Sequence, residues 1–256
     1  MKSILITGAN KSIGYETTRA LLQKGHYVYL GSRDLQKGLQ AVEKLRAEGL
    51  TSVEAIRIDV TDEDSVKKAR AVIGRKTDVL DILINNAGIS GVRFGHDGNS
   101  LPETRNAIEA SIDIFKEVYE TNVFGVVRVT QAFLDLLKKS AEPRIVNVSS
   151  SVGSLTLQSD ANWPAYQFGK FAVYGSSKSA LNMYTVHLAY ELKETAFKVN
   201  AVDPGYTKTD FTNHQGTGTV EDAAARIIKY ALIDKAGPTG KFFSEETNPE
   251  SGEIPW

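Results

Sequence analysis

The stretch TGANKSIG, residues 7–14, follows a short apolar run and leads into a segment with helical periodicity. A glycine-bearing turn between a strand and a helix is the usual setting for a bound nucleotide pyrophosphate. Gly8 permits a tight turn, Gly14 lets the helix start close to the strand, and Ser12 stands where a third glycine is expected. The Ser12 side chain is small, and its hydroxyl can donate to phosphate. The alternative interpretation is a purely structural turn.

Beyond this turn, short β-branched runs alternate with longer amphipathic stretches, which predicts one parallel sheet with helices on both faces. Strands are predicted over Ser3–Thr7, Tyr27–Gly31, Val53–Ile58, Leu80–Asn85, Arg144–Val148, Lys198–Val202 and Lys241–Phe243. Helices are predicted over Ser12–Gln23, Asp34–Ala47, Asp62–Ile73, Ile112–Leu137, Tyr174–Leu192 and Val220–Ile233. The second helix is expected to face the sheet with an apolar stripe, formed by Leu35, Leu39, Val42 and Leu45.

Composition predicts a single domain over residues 1–256. Of the 256 residues, 41% are hydrophobic and 7 are proline, which is enough for one large core. The 30 Lys and Arg residues nearly balance the 31 Asp and Glu residues, which argues against a nucleic-acid partner. The absence of cysteine and of a long apolar stretch predicts a cytoplasmic protein with no membrane partner. No metal is expected, because the four histidines are scattered: His26, His96, His187 and His214.

The end of the second predicted strand indicates which dinucleotide is bound. Ser32 and Arg33 stand where an NAD-type site places a carboxylate against the ribose 2′-hydroxyl. Ser32 offers a hydroxyl, Arg33 offers a planar fork, and Lys11 adds a second cation on the neighbouring turn. The pattern favours NADP(H), with NAD(H) as the alternative. In the competing interpretation the two cations are ordinary solvated charges and Asp34 only caps the next helix.

The pattern Tyr-x-x-x-Lys occurs twice, as Tyr166/Lys170 and as Tyr174/Lys178. On a helix, residues i and i+4 share a face, so the ammonium can approach the phenol. Lowering a tyrosine pKa from about 10 to near 7 takes about 4 kcal/mol, which one charge about 4 Å away can supply in a partly shielded site. Such a pair predicts a general acid/base. The second pair begins a convincing helix, whereas proline and glycine residues flank the first, so Tyr174/Lys178 is favoured.

Together these segments resemble the short-chain dehydrogenase/reductase family over nearly the whole chain. TGANKSIG is similar to that family's TGxxxGxG motif, with Ser12 in place of its middle glycine. The further motifs occur in the family's order: NNAG at 85–88, TNVFG at 121–125, RIVNVSS at 144–150, YGSSK at 174–178 and DPGYTKTD at 203–210. The resemblance implies a single-domain Rossmann-type, doubly wound α/β fold.

The resemblance also implies the roles of the site residues. Tyr174 would exchange a proton with the substrate oxygen, Ser150 would hydrogen-bond the same oxygen, and Lys178 would hold the nicotinamide ribose. The region of Asn122 would anchor a water of the proton relay, while Ser149 and Ser151 would be bystanders. The expected cofactor-binding residues are Gly8, Asn10, Lys11, Ser12, Ile13, Gly14, Ser32, Arg33, Asp59, Val60, Asn86, Ala87, Gly88, Tyr174, Lys178, Pro204, Gly205, Thr207 and Thr209. Asp59 would contact the adenine; its alternative is a simple turn residue.

The interval between Ser150 and Tyr174 is longer than the family's commonest spacing, which implies an insertion at about residues 152–173. Such an insertion resembles the monomeric carbonyl-reductase branch, where a comparable segment covers an assembly face, so a monomer is expected. A substrate lid is expected at about residues 206–220. The expected walls of an apolar substrate pocket are Ile89, Phe94, Trp163, Tyr206 and Phe211.

The leading hypothesis is an NADPH-dependent carbonyl reductase that transfers a hydride to a small apolar or aromatic ketone or aldehyde. One alternative is a secondary-alcohol dehydrogenase that uses NAD(H). The other alternative is a regulatory protein that binds a nucleotide on the same fold without turnover. The presence of Ser150, Tyr174 and Lys178 favours an enzyme, because a silent binder has no chemical need for that combination.

Overall fold

The computed structural model describes residues 1–93 and 100–256, which form a seven-stranded parallel sheet with helices on both faces. The strands are β1 (Ser3–Ile6), β2 (Tyr27–Ser32), β3 (Val53–Arg57), β4 (Ile82–Asn85), β5 (Arg144–Val148), β6 (Lys198–Val202) and β7 (Phe242–Phe243). Their order across the sheet is β3-β2-β1-β4-β5-β6-β7. The predicted doubly wound α/β fold is confirmed, and the reversal of strand order between β1 and β4 opens a ligand crevice at their carboxyl ends.

Eight α-helices connect the strands within the described ranges. They are α1 (Ser12–Gln23), α2 (Leu35–Ala47), α3 (Glu63–Gly74), α4 (Ile112–Tyr119), α5 (Gly125–Leu137), α6 (Leu155–Ser159), α7 (Ala172–Glu191) and α8 (Val220–Ala231). Short 3₁₀ turns cover Pro102–Thr104, Ser151–Gly153 and Asp210–Thr212. None of the helices in the described part of the chain combines the length and the apolarity that a membrane crossing demands.

Alternating side chains of the central strands feed two separate cores, one on each face of the sheet. In β1, Ile4 and Ile6 enter the core beneath α1, α2 and α8, whereas Leu5 enters the core beneath α3, α5 and α7. All three side chains are fully buried. This two-sided burial explains why the strands read as continuous apolar runs rather than as alternating ones.

Two predicted helices differ in detail from the structure. In α2 the buried face carries Gly38, Ala41, Val42 and Leu45, while Leu35 and Leu39 stay 38% and 41% exposed. The predicted stripe was therefore half right, because the small residues of α2 approach the sheet more closely than the two leucines do. The predicted helix Ile112–Leu137 is interrupted by a π-helical turn over Glu120–Phe124, which separates α4 from α5.

Ser12 has a φ of +52°, in the left-handed region that favours glycine. We expect Ser12→Gly to raise the free energy of unfolding by about 0.5–1 kcal/mol, because relief of the left-handed conformation outweighs the extra freedom that glycine gains in the unfolded chain. Urea denaturation monitored by circular dichroism measures the change. Ser52→Gly is the matched control and should lower stability by a few tenths of a kcal/mol; equal effects of the two substitutions would contradict the prediction.

Candidate active site

The turn between β1 and α1 is packed tightly against the NNAG segment that follows β4. Gly8 has a φ of +65°, and a Cβ atom added there would lie 2.9 Å from the Ala87 Cα. A Cβ on Gly14 would lie 2.6 Å from the Asn86 Nδ2. That Nδ2 donates to the carbonyl oxygens of Thr7 at 2.9 Å and of Gly8 at 3.0 Å. The neighbouring NNAG segment therefore leaves no room for a side chain at Gly8 or Gly14, and the hydrogen bonds of the Asn86 amide hold the turn in place.

The N-terminus of α1 has the chemistry of an anion site. Its N-cap residue, Lys11, makes no side-chain capping bond, and its first turn carries no acidic residue. By contrast, α2 and α3 are capped by the carboxylates of Asp34 and Asp62. The leading N–H groups of α1 have no partner within the helix, and the helix dipole favours negative charge there. Asn10, Ser12 and Ile13 lie partly exposed on this turn, so these residues fit a pyrophosphate.

The predicted 2′-phosphate residues differ in their availability. Arg33 is exposed at the end of β2. Ser32 is buried, and its hydroxyl donates to the Asp34 carbonyl oxygen at 2.7 Å, so it is not the free donor that the sequence suggested. The Asp34 carboxylate caps α2 through the N–H groups of residues 36 and 37, as its alternative interpretation expected. The Lys11 Nζ lies 2.6 Å from the Asp210 Oδ2, so Lys11 forms an ion pair with the loop that follows β6.

The segment after β3 lies beside the same crevice. The Asp59 Oδ1 accepts hydrogen bonds from the backbone and the hydroxyl of Thr61, at 3.0 and 2.7 Å. Val60 is buried, and a Cβ added to Gly125 would touch it. Asp59 thus closes its own turn, and its contact with adenine remains a prediction.

Ser150, Tyr174 and Lys178 come together at the carboxyl end of β5. Tyr174 and Lys178 lie in the first two turns of α7, with the ammonium 5.6 Å from the centre of the phenol ring. Ser150 follows β5, and its hydroxyl lies near enough to the phenol to lower the pKa of Tyr174. The Lys178 Nζ is buried and donates to the Val148 carbonyl oxygen at 2.8 Å. The neighbouring Ser149 is buried and donates to the Asn182 Oδ1 at 2.6 Å, so its hydroxyl has a structural role.

The other Tyr-x-x-x-Lys pair lies within residues 152–173, the predicted insertion, and outside any helix. The Lys170 Nζ lies 3.8 Å from the centre of the Tyr166 ring and donates to Gln158. Lys170 is exposed, and its ammonium donates to Gln158 rather than to Ser150. The structure therefore separates the two pairs as the flanking proline and glycine residues predicted.

Asn122 reaches the site from the π-helical turn. It is fully buried, its Oδ1 accepts from the Ile89 N–H at 2.9 Å, and its Nδ2 donates to the Ile89 carbonyl oxygen at 2.9 Å and to the Ser177 Oγ at 3.0 Å. A Cβ on Gly88 would lie 3.3 Å from the Asn122 Oδ1 and 3.6 Å from the Lys178 Nζ. Gly88 thus lets the backbone pass between these two polar groups.

Burial changes the acidity of the pair in the direction opposite to the one that the sequence predicted. Burial of the phenol raises the pKa of Tyr174, the Asp203 carboxylate raises it further, and the nearby Ser150 hydroxyl opposes the rise. Burial lowers the pKa of Lys178 to about 8. The prediction that the Lys178 ammonium lowers the pKa of Tyr174 toward 7 is therefore wrong for this structure. The ammonium is directed at the Val148 carbonyl oxygen rather than at the phenol oxygen.

Asp203 and Asp210 are the charged residues that sequence reasoning missed. Asp203 is buried, and its carboxylate accepts from the Gly205 N–H at 3.0 Å and from the Ser244 hydroxyl at 2.8 Å. Its position directly before the Pro-Gly pair, at the end of a buried strand, was a usable signal. Asp210 gave no such signal, because its contact with Lys11 joins residues that are distant in the sequence.

The loop after β6 brings the remaining predicted cofactor residues to the crevice. Pro204 is buried, Gly205 has a φ of +88°, and Thr207 and Thr209 are buried. The ring of Phe211 lies edge-on to the Tyr174 ring, with centres 5.4 Å apart. This contact makes the loop one wall of the site.

The expected pocket walls separate into three groups. Phe211 and Tyr206 stay 42% and 47% exposed on the loop, and Ile89 packs near Val173 behind the crevice. Trp163 is only 7% exposed and packs against Gly169 within residues 152–173, so it supports this segment rather than the pocket. Phe94 lies outside the described residues. Within residues 1–93 and 100–256, His, Asp and Glu side chains form no group of three that could hold a metal ion.

The chain is similar to proteins named as dehydrogenases and reductases over nearly its full length. The family model for short chain dehydrogenase matches residues 2–219. The chain is 35% identical to (+)-neomenthol dehydrogenase of Capsicum annuum, covering 93% of this chain and 94% of the relative, and 36% identical to (-)-isopiperitenone reductase of Mentha piperita, covering 94% and 96%.

Solved structures agree with these relatives. Salutaridine reductase from Papaver somniferum superposes with a TM-score of 0.81 at 31% identity, covering 95% of this chain and 100% of that one. NADPH-bound carbonyl reductase from chicken fatty liver gives a TM-score of 0.82 at 28% identity, covering 100% and 99%. The fold, the clustered site and these matches lead to one conclusion: this chain belongs to the short-chain dehydrogenase family of oxidoreductases.

Proposed function

We propose that this protein is an NADP(H)-dependent carbonyl reductase in which Tyr174 donates a proton to the oxygen of a ketone or aldehyde. The observation that carries the proposal is the convergence of a phenol, a hydroxyl and an ammonium, from Tyr174, Ser150 and Lys178, beside a turn suited to a dinucleotide. Relatives named as reductases and a structural neighbour with bound NADPH support it.

The cofactor would supply a hydride for the carbonyl carbon, and the protein would supply the proton and the electrostatic support. Ser150 would donate a hydrogen bond to the carbonyl oxygen, where negative charge develops. The Tyr174 phenol is protonated at neutral pH, as proton donation in the direction of reduction requires, although its raised pKa makes it a weaker acid than a free tyrosine. Lys178 would hold the ribose, and Asn122 would orient a relay water through the Ile89 backbone.

Two observations support a preference for NADP(H). Arg33 at the end of β2 presents an exposed guanidinium, and Lys11 places a second cation on the neighbouring turn. No carboxylate side chain occupies positions 32 and 33, where one would bind a ribose 2′-hydroxyl and repel a 2′-phosphate. The turn residues from Gly8 to Gly14 would hold the pyrophosphate, and residues 86–88 would line the floor beneath the nicotinamide end.

The substrate would be a small apolar or aromatic carbonyl compound, because Phe211 and Tyr206 border the site from the loop after β6. The protein would act in the cytoplasm, as the absence of cysteine suggests. It would act as a monomer, because the predicted insertion would cover a face used for assembly. Arg105 holds this segment in place by its contacts with the Lys170 carbonyl oxygen and the Phe171 ring.

Tyr174→Phe removes the proposed proton donor while keeping the ring. We expect it to lower the turnover of aryl and alicyclic ketones with NADPH by about 10²–10⁴-fold, because general acid catalysis contributes that much. NADPH oxidation followed at 340 nm with a ketone panel measures turnover, and fluorescence titration verifies that NADPH still binds. Tyr166→Phe is the matched control and should retain wild-type turnover. The reverse ranking of the two variants would refute the assignment of Tyr174.

The lowered pKa of Lys178 predicts a pH dependence of stability. Between pH 8 and 10.5 the unfolded chain binds this proton and the folded protein does not, so the contribution of Lys178 to stability rises with pH in that window. We expect the free energy of unfolding of the wild type, relative to Lys178→Met, to increase by up to about 3 kcal/mol from pH 7 to pH 10. Urea denaturation across this range measures it. Lys170→Met, which removes an exposed ammonium, should show no such trend.

Arg33→Asp should shift cofactor preference toward NADH, because it removes a phosphate ligand and adds a repelling charge. We expect the ratio of kcat/KM for NADPH to that for NADH to fall about 10–100-fold, as for the loss of a charge-assisted hydrogen bond. Steady-state kinetics with both cofactors measures the ratio. Arg75→Asp, at the far end of α3, makes the same charge change and should leave the ratio unaltered; an unchanged ratio in Arg33→Asp would count against the phosphate role.

A further inference from the structure

Two adjacent residues of the loop after β6 touch opposite ends of the crevice. Asp210 pairs with Lys11, whose Nζ lies 2.6 Å from the Asp210 Oδ2, on the turn that fits a pyrophosphate. Phe211 lies edge-on to Tyr174, with ring centres 5.4 Å apart, at the proton-donating end. Asp210 and Phe211 are consecutive residues. A movement that separates Asp210 from Lys11 therefore also displaces Phe211, which packs against Tyr174.

The segment around these residues is a compact turn. Thr209 and Thr212 form a reciprocal capping box around the 3₁₀ turn, and the His214 N–H donates to the Thr209 carbonyl oxygen at 2.8 Å. Asn213 and His214 follow in left-handed conformations, with φ of +50° and +58°. These local bonds make residues 209–214 one body, so Asp210 and Phe211 move together.

This body is weakly tied to the rest of the protein. Apart from bonds to its own stem at Thr207, the one polar side-chain contact that the described ranges show for residues 209–214 is the ion pair with Lys11. His214 lies within the body, with its Nε2 3.2 Å from the Asp210 Oδ1. The stem is closed by hydrogen bonds from the N–H groups of Thr217 and Gly218 to the Tyr206 carbonyl oxygen. The position of residues 209–214 therefore depends on the ion pair between Lys11 and Asp210 and on the packing of the Phe211 ring against Tyr174.

Lys11 has two competing uses. In this structure Asp210 neutralises its ammonium, yet the proposed function needs that ammonium for a 2′-phosphate. A phosphate bearing nearly two negative charges and the Asp210 carboxylate repel each other when both approach one cation. Arg33 forms no ion pair within residues 1–93 and 100–256, so the phosphate would meet one free cation and one that is already paired.

We infer that the Lys11–Asp210 ion pair is a latch that a nucleotide 2′-phosphate opens, releasing residues 209–214 and withdrawing Phe211 from Tyr174. This inference rests on the proposed use of NADP(H). A dinucleotide that lacks the phosphate leaves the latch closed and Phe211 against the phenol. The latch thus makes Asp210 a specificity-determining residue, which lets the phosphate end of the cofactor govern access of the carbonyl substrate.

Asp210→Asn keeps the size of the side chain and removes its charge. We expect the Kd for NADP+ to fall about two- to fivefold at low ionic strength, while the Kd for NAD+ is unchanged. This change corresponds to the small free energy that an exposed ion pair contributes. The gain should shrink at 0.5 M salt. Isothermal titration calorimetry of both dinucleotides measures binding without turnover. Asp78→Asn is the matched control, because it removes the partner of Lys139 at the opposite end of the sheet.

Hydrogen exchange measured by mass spectrometry reports on the loop itself. In the cofactor-free protein, Asp210→Asn should speed exchange of the amides of residues 209–215 to the level that NADP+ produces in the wild type, whereas NAD+ should not change the wild-type rate. Wild-type NADP+ affinity in Asp210→Asn, or equal loop exchange with the two dinucleotides, would overturn the latch while leaving the proposed function intact. Failure of the wild type to bind NADP+ would overturn both.

Discussion

The side-chain amide of Asn86, which donates to the carbonyl oxygens of Thr7 and Gly8, joins the two halves of the crevice. It connects the turn after β1 to the segment after β4, which is where the strand order reverses. The Thr7 hydroxyl reinforces the junction by accepting from the N–H groups of Asn86 and Ala87, both at 3.1 Å. Without this junction the uncapped start of α1 would lose its position beside Asn86 and Ala87, and the polar groups around Gly88 would lose their support.

The catalytic end of the crevice contains buried polar groups, and burying a charged group costs free energy of folding. Burial disfavours the charged form of Lys178, so this residue, which suits the chemistry, works against the stability of the folded chain at neutral pH. The surroundings offset part of this cost through the Val148 carbonyl oxygen and the buried Asp203 carboxylate. The π-helical turn that carries Asn122 is a similar local departure from regular structure at a functional place.

The loop after β6 links the two ends of the crevice, because Asp210 and Phe211 are neighbours in sequence but reach Lys11 and Tyr174 respectively. A short body with few outward bonds responds to a change at either end. The segment of residues 152–173 before α7 has a different character: Trp163 is buried within it, and its contacts with Arg105 anchor it beside the helix that carries Tyr174.

The sequence by itself determined the seven strands, most helix bounds and which Tyr-x-x-x-Lys pair lies on a helix, because hydrophobic periodicity, glycine positions and breaker residues act over a few neighbouring residues. It also determined that Ser12 would occupy a glycine position. The π-helical turn in the predicted helix Ile112–Leu137, the use of the Ser32 hydroxyl by Asp34, the burial of Trp163 and the pairing of Lys11 with Asp210 were decided only in the tertiary structure. The raised pKa of Tyr174 belongs with these, since it depends on how much protein surrounds the phenol and on the Asp203 carboxylate, which directly follows β6. Contacts between residues far apart in the chain have no local pattern, and their electrostatic effect depends on burial that only the folded chain provides.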